Sequence, residues 1–440
     1  MTDRYARQKG TPVPSGRGAR LFQLGGMVAG IAGGVVAGGL RQMASGKRPD
    51  LADLVLSPAN ALRLTSGLSQ MRGAALKLGQ MLSMDTGIVL PAELTEILSS
   101  LRADVRHMPA HQLRGVLDAE WGNNWQSRFS QFDHHPFAAA SIGQVHRART
   151  TDGRLLAVKV QYPGVRASID SDVDNIATLL RLPGLLPGGV DISPLLRAAK
   201  QQLHEEADYA AEAVQLRRFA AHLAGSETFL VPEVQEDFCT SRVLAMSFVA
   251  GRSIETLEHA GQETRDWAAA QLIDLVLREL FEFRAMQTDP NLANYAFDPA
   301  SRRLVLLDFG AVRTVDERQS EDFRTLLNAG LDGDRQRIRE AMLAIGYFGP
   351  ATGRNRQELI QRMFDMAMAP LRQEAPFDFG RSDLLARLRD MGLAIGSDRE
   401  LMHVPPADTL FLHRKIGGMY LLATRLKARV GLRSLVERYR

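Results

Sequence analysis

The sequence predicts a helix-rich α+β protein of two lobes, preceded by an N-terminal helical extension. Three observations carry that expectation. Apolar residues recur at every third and fourth position through residues 51–130, as in ANALRLTSGLSQMRGAALKLGQML, the period of a helix that buries one face. Between residues 141 and 160 the chain reads as two strand-like runs, SIGQVHRAR and RLLAVKV, with Thr151, Asp152 and Gly153 as the turn between them. From Trp267 onward the helical period returns, interrupted by two short strands, NYAFD and RRLVLLD, around Pro299. With 440 residues, 45% of them apolar and 24% charged, the chain can bury a sizeable core in more than one unit. The expected organisation is a basic flexible leader at 1–20, a glycine-rich membrane-associated helix at 21–42, a helical extension at 48–130, a first lobe at 131–250 and a helical second lobe at 251–440.

The leader holds Arg4, Arg7, Lys9, Arg17 and Arg20 against Asp3, which equals the whole formal charge of +4, so residues 21–440 balance to zero. With no basic excess on the body and aromatics at only 6%, no nucleic-acid partner is expected. The leader lacks the amphipathic period of a transit peptide, which favours a bacterial inner membrane over a mitochondrial one. Residues 21–40, LFQLGGMVAGIAGGVVAGGL, carry no charge, and at about 1.5 Å per residue a helix of that length matches a hydrocarbon core of roughly 30 Å. Gly26, Gly30, Gly34 and Gly38 repeat every fourth residue, the pattern that lets helices approach closely; it predicts membrane insertion or helix pairing, including a homodimer through residues 21–40. The seven glycines of the segment weigh toward a soluble glycine-rich stretch instead. Downstream, Ser193 and Pro194 are expected to open a helix running to about Leu223, with Ser193 as its cap. Cys239 is the sole cysteine, which excludes an intrachain disulfide and a thiolate zinc site. His107 and His111 have helical spacing, but Pro109 between them argues against a metal-binding helix.

Phosphoryl transfer from ATP needs a cation on the phosphates, oxygen ligands for magnesium and a group that orients the nucleophile. The chain offers each in one order. Lys159 closes the strand Leu156-Ala157-Val158-Lys159 and is placed to hold the α- and β-phosphates. Asp289 stands five residues before Asn294 in QTDPNLAN, the spacing of a kinase catalytic loop, and Asp308 ends an apolar strand ahead of Phe309 and Gly310. Each element alone has a plain structural explanation: an exposed strand lysine, an Asp-Gly turn. Together they predict a protein-kinase-like fold with Asp289 as the orienting acid and Asn294 and Asp308 on Mg2+. Glu205, Asp208 and Glu212 fall at i, i+3 and i+7, an acidic face that needs cations, and Lys159 is the candidate partner of Glu212. Where a glycine-rich loop would cover the phosphates, the chain reads Ala138-Ala139-Ala140-Ser141-Ile142-Gly143, which should be stiffer. No A-P-E element follows Gly310, so a peptide-docking platform is not expected.

These residues resemble the UbiB (AarF-type) family of atypical kinase-like proteins, in the branch implicated in coenzyme Q biosynthesis. Lys77-Leu78-Gly79-Gln80 looks like the family's K-x-G-Q helix, AAASIGQVHRA like its alanine-rich loop, and Glu206-Ala207-Asp208 like its E-x-D element. Read from periodicity alone, Lys77 and Gln80 are surface side chains. The resemblance implies instead an extension folded over the nucleotide cleft, with Lys77 meeting Glu206 and Gln80 close by, and with Ala139, Ala140, Ser141, Glu206 and Asp208 around the nucleotide. It further implies that Lys159 and Glu212 form the ion pair of the first lobe. The implied activity is that of a magnesium-dependent ATPase or atypical kinase supporting ubiquinone synthesis at a membrane, with ATP, membrane lipid or polyprenylated quinone precursors and ubiquinone-biosynthesis enzymes as partners. Two alternatives share the same residues: a nucleotide-gated lipid-binding scaffold with incidental turnover, and a small-molecule phosphotransferase.

Overall fold

The computed structural model describes residues 17–45, thirteen residues between 57 and 79, and residues 107–181, 192–349, 352–396 and 406–440. Within them the chain forms two compact units. Unit 1 comprises the chain up to Arg217 together with Glu233–Phe248; unit 2 comprises Arg218–Pro232 and Val249–Arg440.

Unit 1 is built on a five-stranded antiparallel sheet. Strands β1 (Phe129–Phe132), β3 (Gly143–Thr150), β4 (Leu155–Gln161) and β6 (Val243–Ser247) lie in that order, and β2 (Ala138–Ala140) pairs with β3. The β3–β4 hairpin turns where expected, with Gly153 at a φ of +91° that a side chain would resist. Alternation along β4 then decides its two faces. Leu156, Val158 and Val160 enter a core with Leu113, Val116 and Leu117 of helix α2 (Ala110–Trp121), Trp125, Phe129 and Phe238. Ala157, Lys159 and Gln161 take the other face. After β4 the chain forms α3 (Val165–Leu180), α4 (Ser193–Glu206) and α5 (Tyr209–His222), the last residues of α5 belonging to unit 2.

The single helix expected to end near Leu223 is therefore two. Ala207 and Asp208 interrupt it, and Asp208 restarts it by accepting a hydrogen bond from the Ala211 N–H at 3.0 Å. That break also removes the shared acidic face: Glu212 is buried, whereas Glu205 accepts from the Gln201 side-chain amide on α4. Ser193 is the first helical residue, not the cap; Ile192 takes the cap position and makes no side-chain bond.

Helix α1 runs from Arg17 to Ala44, so the glycine-rich segment is helical, but no helix among the described residues is long and apolar enough to cross a membrane. Part of the glycine face has an intrachain use. A Cβ at Gly34 would stand 2.6 Å from Asn60 Oδ1, and one at Gly30 would touch the Arg63 side chain, so the stripe admits residues of the following extension.

Unit 2 is mostly helical. Its sheet has the order β5 (Phe229–Leu230), β10 (Arg303–Leu306), β9 (Tyr295–Asp298), β7 (Arg252–Ser253), and a two-stranded ribbon joins β8 (Ala285–Gln287) to β11 (Val312–Thr314). Helix α6 (Gln262–Phe281) packs against the long α11 (Ala407–Arg425). Between them in sequence come α7 (Glu317–Asp332), α8 (Arg335–Ile345), α9 (Arg354–Met368) and α10 (Leu384–Gly396). Asp316 and Asp334 cap α7 and α8 through their carboxylates, and Leu326, Ala329, Ile338, Ala341 and Phe348 close the core between them.

Candidate functional site

In unit 1 the polar face of β4 meets α5. Lys159, hydrogen-bonded in register between Val145 and Leu244, points its ammonium at both oxygens of Glu212, at 2.8 and 2.9 Å. The Glu212 side chain is fully buried and that of Lys159 is 9% exposed. The Tyr209 ring lies beneath the ammonium at 5.1 Å, and Gln161 donates to the Ala207 carbonyl at 3.1 Å, which fixes the interrupted helix against the strand. A lysine so confined shares its charge with a carboxylate at charge-assisted hydrogen-bond distance.

The extension reaches the same unit. Lys77, 0% exposed, forms an ion pair with Glu206 at the end of α4. Gly73, one turn earlier, has no room for a side chain: a Cβ there would stand 2.7 Å from the Ser141 carbonyl oxygen. The alanine-rich segment thus lies directly against this helix, with Ala139 and Ala140 in β2 and Ser141 in the turn that follows. Lys77 is not the surface residue that periodicity suggests. Asp208 caps α5, and Gln80 lies outside the described residues.

In unit 2 two loops carry the remaining candidates. Asp289 is 8% exposed, with Oδ1 at 3.8 Å from the Arg414 guanidinium of α11. The Asn294 side-chain amide donates to the Asp289 carbonyl at 3.1 Å, a bond that does not engage its Oδ1. Asp308 accepts from the Gly310 N–H at 3.0 Å, and the Leu307 N–H donates to the Asn294 carbonyl at 3.0 Å. Thr288 gives both its N–H and its hydroxyl to the Ala311 carbonyl, so the loops are cross-tied. Phe309 is buried against Phe219, ring centroids 4.8 Å apart.

Among the described residues no group of three or more His, Cys, Asp or Glu could hold a metal by itself. One carboxylate and one amide oxygen suit magnesium, which binds through one or two protein oxygens and completes its shell with phosphates and water. The donor set fits the ion only together with a nucleotide.

Sequence reasoning passed over Arg414 and Lys415. A basic pair on a helix reads as surface, yet both are nearly inaccessible, 6% and 1% exposed. Their partners lie more than a hundred residues upstream in sequence.

Fold and residues define an atypical protein-kinase-like protein, with a lysine–glutamate pair on a small sheet and acid-bearing loops in a helical unit. Residues 100–342 match the ABC1 atypical kinase-like domain. The chain is 38% identical to Atypical kinase COQ8, mitochondrial, of Saccharomyces cerevisiae over 96% of its own length and 84% of that protein. It is 36% identical to Atypical kinase COQ8B, mitochondrial, of Rattus norvegicus, covering 99% of this chain and 82% of that one. Among solved structures, the Rv3197–erythromycin complex from Mycobacterium tuberculosis aligns with a TM-score of 0.59 at 25% identity, covering 83% of this chain and 90% of that one. The chain belongs to the ABC1 atypical kinase-like family, the UbiB family that its motifs resemble.

Proposed function

We propose that the protein is a magnesium-dependent ATPase or atypical kinase that supports ubiquinone biosynthesis at a membrane, making polyprenylated precursors accessible to partner enzymes of that synthesis. The observation that supports the reading is the buried two-oxygen contact between Lys159 and Glu212, a pairing of the kind that ATP-using kinase folds employ. Lys159 would bind the α- and β-phosphates, Asp289 would orient the attacking hydroxyl or water, and Asn294 and Asp308 would supply the metal's protein oxygens. Magnesium, when bound with ATP, would neutralise phosphate charge. Ala139, Ala140 and Ser141 would line the nucleotide, and Glu206 would act through Lys77. The Lys77 contact and the Gly73 approach fix the extension against the alanine-rich segment, which favours water or a small acceptor over a protein substrate.

Association with a membrane is supported by Val36, Leu40 and Met43. They lie at i, i+4 and i+7 on α1, each more than 60% exposed. The mitochondrial names of the yeast and rat relatives give the bacterial assignment no support, so the proposal is limited to a quinone-synthesising inner membrane. The test is quinone and precursor quantitation in a strain lacking the endogenous protein, complemented with this chain or with Lys77→Ala, Asp289→Asn or Asp308→Asn. Precursor accumulation with all three variants is expected. Full rescue by Asp289→Asn would refute a role for turnover and favour a nucleotide-gated scaffold.

A further inference from the structure

The loops bearing Asp289 and Asp308 are held by a buried charge that the proposed chemistry does not use. Lys415 of α11 is 1% exposed, as is Glu279 of α6, and its ammonium lies 3.2 Å from Glu279 Oε2, 3.0 Å from the Tyr295 hydroxyl and 3.0 Å from Gln287 Oε1. Those contacts use all three ammonium hydrogens. The Tyr295 hydroxyl also donates to Gln287 Oε1, at 3.2 Å. Two donors therefore converge on that oxygen, and the amide cannot turn over, since a flipped NH2 would face a cation that accepts nothing. So fixed, Gln287 Nε2 donates to the Asp289 carbonyl at 2.8 Å and lies 3.5 Å from the Asp308 carbonyl.

We infer that Lys415 is a positioning residue: through the locked amide of Gln287 it sets the spacing of the two loops that carry the acid and the metal ligand. The inference rests on the ATP reading only for its effect on turnover; the contacts stand without it. A buried ion pair is an expensive way to fill a core, since apolar side chains of similar volume serve stability as well or better. Burial pushes the Glu279 carboxyl up to about 7 against the pull of Lys415, in keeping with that cost. The same helix meets the loop at two more points. Arg414 approaches Asp289, and a Cβ at Gly418 would collide with the Pro290 ring, so α11 lies close against the loop at 414 and 418.

The variants are Lys415→Met and the double Lys415→Met/Glu279→Met, in which no buried carboxylate is left behind. A purely structural pair predicts that the double recovers wild-type behaviour. The relay predicts that, at near-normal melting temperature, the Asn294 and Gly310 amides still exchange hydrogen faster in the nucleotide-free protein. It also predicts that kcat for ATP falls and half-saturating Mg2+ rises by about 10- to 100-fold, the usual loss when a support behind a metal ligand is removed. Wild-type exchange and wild-type magnesium dependence in the double would overturn it. A measurement on the unmodified protein covers the case in which neither variant folds: the Gln287 side-chain amide protons should be protected like the β8 backbone, and solvent-rate exchange would sink the relay. Faster loops in a protein whose wild type turns over no ATP would keep the relay and remove the nucleotide reading. Unchanged loops in a protein that does turn over ATP would remove the relay alone.

Discussion

Replacing either member of the Lys159–Glu212 pair should cost far more than losing a surface salt bridge. The Glu212 side chain has no exposed area, so Lys159→Met strands a carboxylate in the interior, and Glu212→Leu strands an ammonium on a central strand. Removing one partner of a buried pair costs about 3–5 kcal/mol. In a unit of this size that corresponds to a fall in Tm of roughly 6–20 °C. The double variant Lys159→Met/Glu212→Leu should regain most of the loss, because both desolvated charges are gone. Thermal and urea unfolding of the four proteins gives the coupling directly. ATP turnover should be absent in all three variants, which separates the pair's part in the fold from its part in chemistry. Single variants that lose less than about 1 kcal/mol, as exposed pairs do, would refute the buried geometry.

Two further perturbations test the surroundings of the site. His146 is fully buried, its ring nitrogens set 2.8 Å from the Asp133 carbonyl oxygen and 2.9 Å from the Gln144 amide, and burial pushes its pKa down to about 4. The unfolded chain, with an ordinary histidine, takes up a proton that the folded chain refuses between pH 6.5 and 4. Stability is complete above that window and falls on acidification through it, by up to about 3 kcal/mol. A His146→Gln variant should lose less stability than wild type between those pH values when urea midpoints are compared, and parallel curves would contradict the burial. Gly418→Ala should drive a methyl into Pro290, cost about 1–3 kcal/mol as overpacking does, and lower ATP turnover while leaving unit 1 unaffected in hydrogen exchange.

The hairpin that presents Lys159 was readable because its features are local: two strand-like runs and a Thr-Asp-Gly turn whose glycine takes a positive φ. The spacing of Asp289, Asn294 and Asp308 was readable for the same reason, each lying in a short segment with a distinctive order. Strands of two or three residues, such as β8 with β11 or β12 (Phe377–Asp378) with β13 (Arg429–Val430), were not; they are too short to show a period and exist through partners distant in sequence. The interruption at Ala207 is a tertiary effect, fixed where Gln161 takes the Ala207 carbonyl and Asp208 caps the next helix. Lys77 and Lys415 show the same limit. Helical periodicity assigns a lysine to solvent, and only a carboxylate brought from elsewhere, Glu206 or Glu279, makes its burial tolerable. The glycine stripe of α1 signalled close approach correctly, but what approaches at Gly30 and Gly34 is the chain's own Arg63 and Asn60.

The central claim is that Asp308 joins a metal to ATP in this chain. The direct measurement is ATP hydrolysis as a function of magnesium concentration for the wild type and for Asp308→Asn, which keeps the size and the Gly310 contact but loses the charge. Magnesium-dependent turnover in the wild type, lost in the variant at every magnesium concentration while its Tm is unchanged, is the predicted result. Turnover in Asp308→Asn with the same magnesium dependence as wild type would contradict it.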